Sequence, residues 1–198
     1  MEISANLVKE LRALTGAGVI DCRNALVECR GDLEKAQQLL RAKGLAAAAR
    51  RTGREAKEGL VTSYIHGGGR LGALVEVNCE TDFVARTDDF KTLAHELAMQ
   101  IAASDPRYVS RDDVPVEVAA AERAAYLAKA HADGKDGSAA EAEADAQMEK
   151  FYQASCLIEQ PFIRDERQTV DDRVKEVIAR TGENIRVRRF ARFRLGEG

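Results

Sequence analysis

Three groups of residues in this sequence are of types that do chemistry: scattered thiols and imidazoles, an arginine-rich stretch with interleaved rings, and a carboxylate beside a ring at Asp82-Phe83. The thiols are Cys22, Cys29, Cys79 and Cys156, with no Cys-x-x-Cys and no nearby histidine pair, so they make no zinc ligand set. Cys22 and Cys29 lie seven apart on one predicted helix, about 10 Å along its axis and too far for a disulfide. They read as small core hydrophobes, kept reduced as in the cytosol. A nucleophilic Cys79 would need a base, yet a hairpin puts His66 at its turn and Cys79 at its open end, roughly 30 Å apart. His95 and His131 show no triad partner. Gly67, Gly69 and Gly72 satisfy Gly-x-Gly-x-x-Gly, but a strand follows where a helix would have to hold the pyrophosphate, so direct nucleotide binding is rejected. Arg186, Arg188, Arg189, Arg192 and Arg194 share a strand with Phe190 and Phe193, the mixture an RNA-stacking platform uses. Against nucleic acid stand the net charge of −3 and the ease with which strand arginines pair with carboxylates on covering helices or across a subunit interface.

The Asp82-Phe83 pair lies where one periodicity gives way to another. Leu71, Ala73, Val75 and Val77 alternate as one face of a strand, whereas Phe90, Leu93, Ala94, Leu97, Ala98 and Ile101 form a helical stripe. Between them Thr81 can cap a short helical turn, with Asp82 at the positive end of its dipole. Phe83 then has two fates. It folds back on the Phe90 helix as a staple, or it protrudes as a wedge.

The flanking patterns predict an α+β chain. Ser4 can cap a helix with Leu7, Val8, Leu11 and Leu14 on one face, ended by Thr15-Gly16-Ala17-Gly18. Val19, Cys22, Leu26 and Cys29 mark a second helix stopped at Gly31, and Asp32 caps a third, with Leu33, Ala36, Leu39 and Leu40 inward before Gly44. So small a three-helix bundle suits docking better than catalysis. Ala46 to Ala49 make a helical linker broken at Thr52-Gly53, giving domains 1–52 and 53–198. In the second, strands over 60–66 and 70–78 form a hairpin. A helix follows to Asp105-Pro106, then alanine-rich helices on either side of Asp133 to Ser138, an extended piece at 156–163, a helix opened by Thr169 and Asp172, and a strand over 185–195. Glu141, Glu143, Asp145 and Glu149 read as a solvated face. The architecture expected is an antiparallel sheet covered by helices. Hydrophobic content of 45% suffices for one core and a satellite, no apolar run approaches a membrane span, and the N-terminus lacks signal-peptide regions, so a cytoplasmic chain is expected.

The string from Asn78 to Arg86, Asn-Cys-Glu-Thr-Asp-Phe-Val-Ala-Arg, resembles the signature of the elongation factor Ts family, bacterial factors that release GDP from the translational GTPase elongation factor Tu. The resemblance extends to Leu11, Arg12, Thr15, Gly16, Ala17 and Gly18, to Leu157-x-x-Gln160-Pro161-Phe162, and to Gly182-Glu183-Asn184-Ile185 followed by Val187-Arg188-Arg189-Phe190; only residues 116–145 are too generic to compare. It implies a ubiquitin-associated-like N-terminal domain and a second, core and dimerisation domain. It also implies that Thr81, Asp82, Phe83, Val84, Ala85 and Arg86 meet the partner, with Asp82 and Phe83 reaching towards its magnesium site. Arg12 matches the family's partner-facing arginine. Val19 and Ile20 stand where the family often has methionines, as an apolar knob for the partner or as completion of the bundle core. Family members of this short length tend to pair, so a homodimer is expected, with no enzymatic step, no cofactor and no metal of its own.

Overall fold

The computed structural model describes residues 3–197 and is α+β. Three helices come first, α1 (Ala5–Thr15), α2 (Val19–Glu28) and α3 (Leu33–Ala49). Their caps follow from the sequence: the Ser4 hydroxyl accepts from Leu7 N–H at 3.3 Å and the Asp32 carboxylate from Lys35 N–H at 3.0 Å. Gly16 closes α1 in the left-handed region at φ 69°, its N–H donating to the Arg12 carbonyl. Val8, Leu11, Cys22, Ala25, Leu26 and Ala36 form the bundle core. Gly44, expected to end α3, lies inside it. A Cβ there would sit 3.1 Å from the Ala179 Cβ, so this glycine serves a close approach between helices rather than a stop.

The remainder runs β1 (Glu58–Ile65), β2 (Leu71–Cys79), α4 (Asp82–Ala85), α5 (Asp88–Ser104), α6 (Val116–Ala132), α7 (Ser138–Ser155), β3 (Pro161–Phe162), β4 (Asp165–Thr169), α8 (Val170–Thr181) and β5 (Arg186–Arg194). One sheet has the order β1-β2-β5, and β3 pairs with β4 in a second. His66 N–H donates to the Leu71 carbonyl across the first hairpin, whose tip holds Gly68 and Gly69 at φ 82° and 67°. β5 runs antiparallel to β2, with Leu195 bonded to Arg70 and Arg189 to Glu76. By packing, the chain forms two compact units: the first joins the residues up to Gly59 with Asn78–Leu93 and Asp172–Arg186, and the second holds Leu60–Val77, Ala94–Asp171 and the residues from Val187.

In the second unit the 156–163 piece is not simply extended. A helical turn, Leu157–Glu159, precedes β3, and β3 turns back into β4, a hairpin that periodicity did not announce. Buried Gln160 organises it: its Oε1 accepts from Ser104 Oγ (2.6 Å) and Gln100 Nε2 (3.2 Å), and its Nε2 donates to the Ala154 carbonyl (2.8 Å). Helices α6 and α7 pack through Ala130, Ala140 and Ala144. The α7 carboxylates face cations of the same hairpin: Arg123 pairs with Glu141 and Asp145, and Lys135 with Glu143.

Candidate functional site

The last residues of β2 lead directly into the one-turn helix α4, and the turn's two faces differ sharply. Val84 and Ala85 are buried, while Thr81, Asp82, Phe83 and Arg86 are exposed, Phe83 by 75%. The staple is therefore not formed. Thr81 caps the turn as its sequence suggests, its Oγ1 accepting from Val84 N–H at 3.4 Å. Thr87 then joins two helices: its hydroxyl donates to the Val84 carbonyl (2.7 Å) and accepts from Phe90 N–H (3.3 Å), closing α4 and opening α5. The Asp82 carboxylate lies 2.6 Å from the Arg86 guanidinium, one turn on. Both side chains are largely in water, where such a pair is weak and readily exchanged for another partner.

Behind the turn the backbone is held from far along the sequence. Glu183 Oε2 accepts from Glu80 N–H (3.1 Å) and Thr81 N–H (3.0 Å), and Oε1 accepts the Thr81 hydroxyl proton (2.6 Å). In return Asn184 N–H donates to Glu80 Oε1 at 2.6 Å, and Asn184 Nδ2 to the Arg54 carbonyl at 2.7 Å. The Cys79 thiol donates to the Thr81 carbonyl at 3.1 Å. Burial first, and then the Glu183 charge, push this thiol up to about 11, so it stays protonated and is no nucleophile at neutral pH.

On the N-terminal bundle, Arg12, Val19 and Ile20 are all exposed, Val19 by 54% and Ile20 by 74%, with Leu14 also open to solvent. Val19 and Ile20 do not complete the bundle core.

Comparison with known sequences follows the same outline. The family model described as Elongation factor TS matches residues 46–197. A protein named Elongation factor Ts from Caldanaerobacter subterraneus subsp. tengcongensis is 56% identical over 196 residues, covering 99% of this chain and 98% of its own length. One of the same name from Moorella thermoacetica is 57% identical, covering 99% and 97%, and one from Fervidobacterium nodosum is 52% identical, covering 100% of both. The chain belongs to the elongation factor Ts family.

Elsewhere in the chain the other chemical candidates are occupied locally. Tyr64 OH lies 3.0 Å from His66 Nδ1, and the Tyr64 ring stands edge-on to His95 at 5.8 Å. His131 Nδ1 lies near the Lys135 carbonyl and Asp136. Of the β5 arginines, Arg189 pairs with Glu76, Arg192 with Asp105 and Glu197, and Arg194 with Glu197. Among the described residues no group of three or more His, Cys, Asp or Glu could hold a metal ion, and no helix is long and apolar enough to cross a membrane. Sequence alone does not single out Glu183, because a carboxylate after a helix-ending glycine looks like any surface acid. The one signal for it is its place in the Gly-Glu-Asn-Ile string.

Proposed function

We propose that the chain is a guanine-nucleotide exchange factor that binds elongation factor Tu carrying GDP and promotes GDP release, with Asp82 and Phe83 entering near the partner's magnesium and nucleotide site. The observation that carries this reading is the exposed Phe83 ring on a turn whose opposite face, Val84 and Ala85, is buried. Family membership supplies the partner. Arg12, Val19 and Ile20 on the 1–52 docking domain provide affinity, Thr81 and Arg86 border the intruding pair, and Val84 and Ala85 anchor it.

The energetics set what such a factor must do. A GTPase that holds nucleotide near nanomolar must be weakened by about 4 kcal/mol to reach micromolar affinity. Reciprocity then requires bound nucleotide to weaken the factor equally, so the factor binds a state that nucleotide disfavours. No bond is made or broken, and the factor brings no cofactor. The chain acts in the cytoplasm as a homodimer through the 53–198 domain. Support for pairing is the exposed apolar set Val61, Ile65, Leu74, Phe193 and Leu195 on strands of the main sheet and just past β5, the kind of surface that marks an interface. RNA recognition by β5 is the weaker reading, since carboxylates already neutralise three of its arginines. The test is release of labelled GDP from an excess of purified elongation factor Tu. Substoichiometric chain should accelerate it through many turnovers; no acceleration at any concentration would contradict the reading.

A further inference from the structure

We infer that Glu183 is a positioning residue for nucleotide release, its carboxylate fixing the backbone from which Phe83 projects; this rests on the exchange reading above. Helix α4 has only four residues, one turn, and a single turn is too short to hold its own geometry. Phe83, 75% exposed, takes little orientation from packing. The ring's direction is therefore set by the backbone at 80–83, and the groups that hold that backbone set the ring.

Three donors converge on Glu183: the N–H groups of Glu80 and Thr81 and the Thr81 hydroxyl, at 3.1, 3.0 and 2.6 Å. The hydroxyl has one proton. With that proton committed to Glu183 Oε1, an oxygen lone pair is left for Val84 N–H, so the same carboxylate that holds the end of β2 also sets the cap of α4. Glu183 reaches this place because Gly182, at φ 79°, turns the chain after α8. The reverse bonds from Asn184 to Glu80 Oε1 and to the Arg54 carbonyl keep the 182–184 segment itself in register. A neutral amide at Glu183 would keep the shape but offers one acceptor oxygen in place of two, so its NH2 must face either the two backbone N–H groups or the Thr81 hydroxyl, and the bonds that remain lose the carboxylate's charge.

The experiment uses the full chain and elongation factor Tu loaded with a fluorescent GDP analogue, with release followed against factor concentration. Glu183→Gln should lower the maximal rate about tenfold or more, as small misplacements of reacting groups do, while the half-saturating concentration, set by the docking residues, shifts by less than about twofold. Combined with Phe83→Ala it should cost nothing further, because both act through one ring. A merely structural role predicts instead losses that multiply and follow the melting temperature, and that result overturns the proposal. Glu183→Gln releasing GDP at the full rate while Phe83→Ala is slow removes the positioning role alone. Phe83→Ala at the full rate removes the intruding ring from the exchange reading and the positioning role with it, whereas no stimulation by the unaltered chain removes the exchange reading itself. Should Glu183→Gln fail to fold, Thr81→Val, which deletes only the hydroxyl, must show the same loss and the same non-additivity with Phe83→Ala, or the proposal falls.

Discussion

Phe83 leaves 75% of its surface in water and so forgoes most of the roughly 2 kcal/mol that burying such a ring contributes to folding. Cys79, four positions earlier, is its opposite, fully buried and hydrogen-bonded. The thiols make a prediction at this scale. Cys22, Cys79 and Cys156 are buried and only Cys29 is partly open, so in the native chain at pH 8 a thiol reagent should titrate Cys29 quickly and the rest only on unfolding. Burial pushes both Cys79 and Cys156 from 9.0 up to about 11. The protonated thiol is thus favoured in the fold: this contribution to stability is intact below pH 9 and is lost as pH rises towards 11, because the unfolded thiols ionise first. Chemical denaturation at pH 8 and pH 10.5 should show the loss, and Cys79→Ser should reduce it. The sequence showed which residues sit at the turn but not which way Phe83 faces. On one turn of helix that depends on where Val84 and Ala85 find a core and on a glutamate about a hundred positions away, neither of which periodicity encodes.

Elements were legible where their signals are local. Ser4, Asp32 and Thr81 cap as expected, and the strand and helix stripes on either side of the turn are the buried ones. The failures are long-range. Gly44 carries a stop signal, yet α3 runs through it, and the side chain it lacks would sit where Ala179 of α8 comes close. The β3–β4 hairpin escaped because it is organised by Gln160 and Gln100, polar residues whose burial no hydrophobic pattern reveals. Gly44→Val tests the first point. In an ordinary helix interior valine is tolerated better than glycine, but here the branch must push α8 away, and overpacking of this kind costs about 1–3 kcal/mol. A lowered denaturation midpoint is expected; an unchanged or raised one would mean that α3 and α8 do not need the close approach.

At the scale of the whole molecule, the first compact unit gathers the bundle, the Phe83 turn and most of α8 from three separate stretches of chain. The sequence boundary near residue 52 marks a change of pattern, and the role of 1–52 as a docking domain is part of the proposed function. The second unit carries the exposed Ile65, Leu74 and Phe193. Pairing through that surface predicts sedimentation at micromolar concentration as a species of twice the 21.6 kDa chain mass, and Phe193→Asp should return it to the single chain with little loss of stability, since that ring is 72% exposed. A single-chain species for the unaltered protein would rule out the dimer. In the proposed function the Phe83 ring couples factor binding to GDP release. The direct measurement takes one preparation of Phe83→Ala and records both its melting and its stimulation of GDP release from elongation factor Tu at saturation. Melting close to that of the unaltered chain is expected, with release slowed about tenfold or more, the effect of losing as little as 1.4 kcal/mol of coupling. Release at the full rate, with stability lowered by the roughly 3–5 kcal/mol of a deleted core phenylalanine, would contradict it.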